Sequence, residues 1–307
     1  MHINDIFAKH PTTFSFEFFP PKSDEAAEKL FNAISELEPL RPSFVSVTYG
    51  AGGGTRTRTH ELVMRIKRET SLLPVPHLTC VCHTEAEIHD ILERYAQAEI
   101  PNILALGGDP PKDRPSHIRE RDSFPYAEDL VRYIRNFKDT YAGRCMSDPR
   151  GFGVGVAGFP EGHPGTPNRL KEMDYLKRKV DAGADYICTQ LFFDNRDFYD
   201  YRERCELAGI KVPIIAGVMP ITSAKGMERM AELALGARYP APLVRSIERC
   251  NGDPAAVRRV GVHWATEQCR DMLDNNVRGI HFYTLNMSTA TREIYANLGV
   301  KDSLALA

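Results

Sequence analysis

Short runs of β-branched and aromatic residues alternate along the chain with longer stretches whose apolar positions recur every three or four residues. The short runs are Phe14–Phe19, Phe44–Tyr49, Val75–Cys82, Asn102–Leu106, Gly153–Ala157, Tyr186–Gln190, Pro213–Val218 and Gly279–Tyr283, each with the length and composition of a strand. Between them, Ala27, Leu30, Phe31, Ile34 and Leu37 fall on one helical face, as do Ile88, Ile91, Leu92 and Tyr95. Thr84 and Glu87 have the spacing of a capping box, and Thr166 before Pro167 reads as a cap followed by proline at the first helical position. Most strand midpoints lie roughly 30 residues apart, the length of one β-α unit. The wider intervals before the fifth and eighth strands predict additional loops or helices there.

Eight such units leave two α/β architectures open, a closed (β/α)8 TIM barrel and a doubly wound open sheet. The count of eight favours the barrel, and no linker divides the chain, so residues 1–307 read as one catalytic domain. Three Gly- and Pro-rich segments, Gly50–Thr55, Gly107–Pro115 and Gly158–Pro167, each follow a strand. A barrel gathers such loops at its C-terminal mouth, where active sites sit.

Charge and composition narrow the function classes. The 39 Lys and Arg residues against 41 Asp and Glu give a net charge of −2 over 307 residues, which removes the electrostatic case for nucleic acid or an anionic membrane as partner. No apolar run approaches the roughly 18 residues that span a bilayer; the greasiest, Val212 to Ile221, is broken by Pro213 and Pro220. Met1 to Lys9 lacks a basic segment followed by an apolar one, so no secretory signal is visible. Seven irregularly spaced cysteines fit reduced thiols, and with the other features predict a cytoplasmic protein.

Several constellations have chemical potential. In Phe14-Ser-Phe-Glu-Phe-Phe, strand alternation puts Ser15, Glu17 and Phe19 on one face and Phe14, Phe16 and Phe18 on the other. If the first face is interior, Glu17 is a carboxyl in an aromatic setting, where desolvation favours the protonated form and suits a general acid; the alternative is a structural carboxylate paired with a lysine or arginine. Leu106-Gly-Gly-Asp-Pro-Pro lets the backbone approach a flat ligand and projects Asp109, or is a plain turn.

Gly153-Val-Gly-Val-Ala-Gly satisfies a dinucleotide spacing, yet Pro160, Pro164 and Pro167 follow where a helix should open. Its glycines would instead thin a strand so that something bulky lies against its end, with His163 beyond it. Gly50 to Arg58 is glycine-rich with two arginines but lacks the lysine of a phosphate loop. His77-Leu-Thr-Cys-Val-Cys-His83 has no second pair at zinc spacing, so Cys80 and Cys82 read as core residues, no metal is expected, and His77 is free to meet a ligand. The Lys177–Lys179 run reads as a solvated helix face unless it borders an anion. Gln190, beside Phe192 and Phe193, can offer an amide fork and a stacking wall to a heterocycle.

Together these segments resemble the methylenetetrahydrofolate reductase family. The matching stretches are Phe14-Ser-Phe-Glu-Phe-Phe-Pro-Pro-Lys, Phe44-Val-Ser-Val-Thr-Tyr-Gly-Ala, Pro76-His-Leu-Thr-Cys, Gly108-Asp-Pro-Pro, Lys177-Arg-Lys-Val-Asp-Ala-Gly-Ala, Thr189-Gln-Leu-Phe-Phe-Asp and His281-Phe-Tyr-Thr-Leu-Asn, in family order across nearly the whole chain. The resemblance implies a barrel holding non-covalent FAD that reduces 5,10-methylenetetrahydrofolate to 5-methyltetrahydrofolate with NADH or NADPH by ping-pong hydride transfer. It implies Glu17 as general acid and Asp109 as an electrostatic partner of flavin and folate. It further implies FAD contacts at Thr48, Tyr49, His77, Gly108, Asp109, Tyr126, Ala127, His163, Arg178 and Lys179, and folate contacts at Asp109, Gln190 and Tyr283.

Gly107, Phe159 and Met287 stand where the family often has arginine, tyrosine and arginine, and Arg292 is a candidate substitute for the last. The likeness is to the short, bacterial type without the C-terminal regulatory domain of eukaryotic members, not expected to respond to S-adenosylmethionine, and implies a homo-oligomer with a small-molecule folate substrate. A folate- or flavin-binding barrel without turnover, and a non-redox lyase or methyltransferase on the same fold, are the competing readings; a lyase would need a lysine at a strand end.

Overall fold

The computed structural model describes residues 1–49, 56–109, 117–141, 146–234 and 237–305. Eight parallel strands close into a barrel in sequence order: β1 (Thr13–Phe18), β2 (Phe44–Val47), β3 (Pro74–Thr79), β4 (Asn102–Leu106), β5 (Gly153–Gly158), β6 (Tyr186–Leu191), β7 (Ile214–Val218) and β8 (Gly279–Tyr283). Closure is made by β1 against β8, with Ser15 opposite His281 and Glu17 opposite Tyr283. The open-sheet alternative is thereby excluded, and all eight expected strands are present.

A short helix precedes the barrel, α1 (Ile3–Lys9). The outer layer then runs α2 (Asp24–Leu37), α3 (Arg56–Glu69), α4 (Glu85–Gln97), α5 (Ala127–Thr140), α6 (Arg169–Asp181) and α7 (Asn195–Leu207). Three helices, α8 (Ala224–Leu233), α9 (Ala241–Glu248) and α10 (Pro254–Asp274), fill the long interval before β8, and α11 (Thr289–Asn297) follows it. The other long interval, between β4 and β5, carries a 3-10 turn at Arg119–Arg121 ahead of α5.

Strand alternation sorts the core into two compartments. Outward-facing Phe14, Phe16, Phe18, Val45, Val47, Val154, Val156, Ile280 and Phe282 are buried against the helices; the rings of Phe14 and Phe16 meet Tyr295 of α11 at 6.0 and 6.2 Å. Inward-facing Phe44, Val75, Leu104, Tyr186 and Ile215 form a separate cluster with Ile3, Ile6 and Phe7 of α1. That helix plugs the base of the barrel, held by a 2.7 Å bond from the Ile3 amide to the Asn102 side chain.

Local details differ from expectation in three places. The third strand ends at Thr79 rather than Cys82, because Cys82 adopts φ 59° in a turn. The cap of α6 is Asn168, whose side chain accepts from the amides of Leu170 and Lys171; Thr166 is committed to the preceding turn through its own amide and the His163 carbonyl. The glycines of β5 make room for the protein rather than a ligand. A Cβ on Gly153 would meet the Asn102 side chain and Ile3, on Gly155 the Tyr186 ring, and on Gly158 the Tyr201 hydroxyl.

Candidate active site

The interior is apolar at its base and polar toward the C-terminal mouth. Glu17, two positions above Ser15 on β1, faces inward with 18% of its side chain exposed. Its Oε2 lies 3.5 Å from His77 Nε2 on β3 and 3.7 Å from His281 Nε2 on β8. The immediate neighbours of the carboxyl are therefore imidazoles. The three phenyl rings of the strand lie on its other face, and Phe19, expected inside, is exposed at the rim beyond the strand end. No lysine or arginine pairs with Glu17 among the described residues.

The two histidines are held differently. His281 is buried, with Nδ1 hydrogen-bonded to Ser15 Oγ at 2.7 Å and Nε2 to Ser46 Oγ at 3.3 Å. Its ring stacks on Phe44 and meets Tyr283 edge-on at 5.2 Å. His77 is also buried, but its Nε2 has no hydrogen-bond partner among the described residues. Burial pushes its pKa down to about 4, outweighing the attraction of Glu17, with the nearby His281 lowering it further. At neutral pH His77 is an uncharged imidazole with a vacant hydrogen-bonding nitrogen beside a carboxyl.

Backbone clasps fix the top of β1. Thr284 Oγ1 donates to the Glu17 carbonyl at 2.6 Å, and the Asn286 amide both accepts from the Phe19 N–H at 2.9 Å and donates to its carbonyl at 2.8 Å. Leu285 and Asn286 take positive φ, 51° and 60°, to reach this position. Tyr283 donates to the Thr189 carbonyl at 2.8 Å, tying β8 to the end of β6, where Gln190 sits. Gln190 Oε1 accepts from the Leu191 amide at 2.9 Å. Gln190 lines a shallow, open groove with Phe159, Pro160, Gly162, Ala234 and Ala237.

A second group gathers at the ends of β4 and β5. Gly108 has φ 77°, and a Cβ there would stand 2.5 Å from Val81 Cγ1, so glycine is required at this corner. Asp109 follows it, exposed at the mouth. His163 packs edge-on against Phe159 at 4.7 Å, and its Nδ1 accepts from the Gly165 amide. Burial lowers its pKa; the charges of Lys179 and Arg119 act in the same direction and that of Asp109 against. The Lys179 ammonium donates to the Ala157 carbonyl at 2.7 Å, and burial lowers its pKa to about 8 despite Glu172 nearby.

Other expected residues lie further out. Thr48 is half-buried at the end of β2, its amide bonded to the Phe18 carbonyl. Tyr49 is buried with its hydroxyl 3.0 Å from His83 Nε2. Tyr126 caps α5 and is exposed, and Ala127 opens that helix. Arg178 pairs with Asp174 at 3.0 Å and shares an outer groove between α5 and α6 with Glu128 and Arg132.

Arg292 is taken by Glu36 at 3.0 Å on the outer layer, where Ser288 also bonds that carboxylate. It thus does not serve as a substitute at Met287, which stands exposed. The glycine-rich loop, residues 50–55, and Pro110–Pro115 of the β4 loop lie outside the described residues. Among those described, no group of His, Cys, Asp and Glu side chains could hold a metal, and no helix is long and apolar enough to cross a membrane.

The sequence reading had no role for Ser15, Ser46, His281 or Arg119. The first three carried a signal, polar residues at inward positions of adjacent strands in otherwise apolar runs. Arg119, in an irregular loop, carried none.

Comparison with known proteins gives the family. The sequence model of the methylenetetrahydrofolate reductase family matches residues 2–299. The chain is 37% identical over 309 residues to methylenetetrahydrofolate reductase (NADH) 1 of Arabidopsis thaliana, covering 98% of this chain and 50% of that protein. It is likewise 37% identical over 291 residues to 5,10-methylenetetrahydrofolate reductase of Escherichia coli K12, covering 94% and 92%. The chain thus spans about half the length of the plant relative and nearly all of the bacterial one. Among solved structures, an uncharacterized Clostridium thermocellum protein that binds two copies of 5-methyl-5,6,7,8-tetrahydrofolic acid aligns with TM-score 0.63 and 13% identity, over 96% of this chain and 100% of that one; at that identity the likeness is one of fold. With a family match from residue 2 to residue 299 and a barrel to fit it, this chain belongs to the methylenetetrahydrofolate reductase family.

Proposed function

We propose that the protein reduces 5,10-methylenetetrahydrofolate to 5-methyltetrahydrofolate with NADH or NADPH, by ping-pong hydride transfer through non-covalent FAD, in the cytoplasm. The observation that carries this reading is Glu17, an inward carboxyl at the barrel mouth beside the neutral, unpartnered His77 and the anchored His281. The mouth fits a flavin dinucleotide. It offers a glycine corner at Gly108 that brings backbone close to a flat ring, an imidazole nitrogen at His77 without a hydrogen-bond partner among the described residues, and an ammonium at Lys179 seated on a backbone carbonyl. When bound, FAD supplies the two-electron relay between nicotinamide and folate.

The chain's own residues then have distinct work. Glu17 holds the proton that the folate nitrogen takes up as its five-membered ring opens, and Thr284 and Asn286 fix the backbone from which it is delivered. Asp109 places negative charge where cationic character develops on the folate. Gln190 and Tyr283 orient the folate ring at the end of β6, and the apolar base below keeps bulk water out.

Glu17→Gln separates this reading from a barrel that binds without turnover. Stopped-flow spectroscopy is expected to show flavin reduction by the nicotinamide within a few-fold of the parent and folate reduction slowed by roughly 100-fold or more. Equal survival of both half-reactions would remove Glu17 from its role. A purified protein that neither carries nor takes up flavin would remove the function.

A further inference from the structure

The rim between β4 and β5 carries a cation that no sequence pattern marked. Arg119 folds back from its 3-10 turn onto the glycine corner, Nη1 donating to the Gly107 carbonyl at 3.3 Å and Nη2 to the Gly108 carbonyl at 2.5 Å. A Cβ on Gly107 would stand 3.0 Å from Nη1, so the guanidinium packs closely over the glycine. Both bonds are to neutral acceptors, and no carboxylate among the described residues pairs with the charge.

Lys179 repeats this arrangement one strand along. Its ammonium is seated on the Ala157 carbonyl of β5, the strand that pairs with β4, again without a carboxylate within ion-pair distance among the described residues. The two charges share a neighbourhood, since both bear on the half-buried His163, as does Asp109. Cations fixed on backbone carbonyls at adjacent strand ends, beside a neutral imidazole, form a donor set for a phosphate-bearing ligand. A guanidinium with two of its N–H groups tied back presents the others in a rigid fork.

We propose that Arg119 binds the diphosphate of the flavin dinucleotide from the β4 side of the mouth, as Lys179 does from the β5 side. The assignment rests on the flavin reading above and adds a residue to it.

The test is flavin binding by the full chain, followed by quenching of flavin fluorescence, with FAD and with riboflavin, which lacks the diphosphate. Arg119→Gln retains a donor for the loop carbonyls but removes the charge, and circular dichroism verifies its fold. The expected result is a dissociation constant for FAD raised about tenfold, a shallower dependence on salt, and riboflavin binding unchanged. Unchanged FAD affinity in the variant would overturn the proposal. So would equal losses for FAD and riboflavin, which would make Arg119 a support of the ring-binding loop. A parent chain that binds neither flavin would overturn the flavin reading itself and this assignment with it, an outcome distinct from the other two.

Discussion

His77 shows how burial alone sets the charge of a group whose nearest neighbour would favour the opposite state. Its pKa in the folded protein is about 4, against 6.5 for the free side chain. Between those values the unfolded chain takes up a proton that the folded chain refuses, so stability rises with pH across this window and is lost as pH falls from about 6.5 toward 4. The contribution is on the order of 3 kcal/mol. Urea unfolding of the parent and of His77→Gln at pH 7 and pH 4.5 is expected to show a markedly smaller acid loss in the variant.

At this scale the sequence was legible wherever alternation applies. It grouped Ser15 with Glu17 on one face, which the structure turns inward, and the three phenylalanines on the other. It could not say that the carboxyl meets imidazoles, because His281 comes from a strand whose bond to Ser15 spans 266 residues. Nor could it see that Arg292, one helical turn from Met287, is already engaged by Glu36 of α2.

Elements divide the labour between the two ends of the barrel. α1 closes the base with Ile3, Ile6 and Phe7, well away from the polar mouth. Ile6 is 2% exposed, and Ile6→Ala leaves a cavity among Phe44, Val75 and Tyr186 that costs about 2–4 kcal/mol. Denaturant unfolding is expected to report that loss while flavin affinity stays at the parental value.

The eight strands and the principal helices could be read from periodicity, since strands of 4–6 residues and helices of 13–14 leave clear patterns. α1 escaped notice because seven residues are too few to establish a period. The glycine strand was misread for a related reason. Periodicity shows that β5 is thin, but only packing shows that Tyr186 and Tyr201 fill the space.

Over the whole molecule, the near-neutral net charge hides a local concentration of cations at one mouth. Lys179 has a pKa of about 8 because its ammonium is buried. It is charged below that pH and loses its proton above it, so affinity for a phosphate-bearing cofactor is expected to weaken as pH rises from 7 to 9. Lys179→Arg, which stays protonated throughout, flattens that dependence. Fluorescence titration of FAD at pH 7, 8 and 9 checks both.

The seam that closes the barrel has its own consequence. Glu17 is among the first residues a ribosome makes, yet Thr284, which secures its backbone, emerges 267 positions later. The carboxyl lacks this clasp and its His281 neighbour until the final strand docks, so the proton transfer proposed for it depends on completed closure of the barrel. A chain clipped before β8 loses both contacts to Glu17 and the pairing that closes β1 onto β7, and is expected to be inactive in an assay of folate reduction.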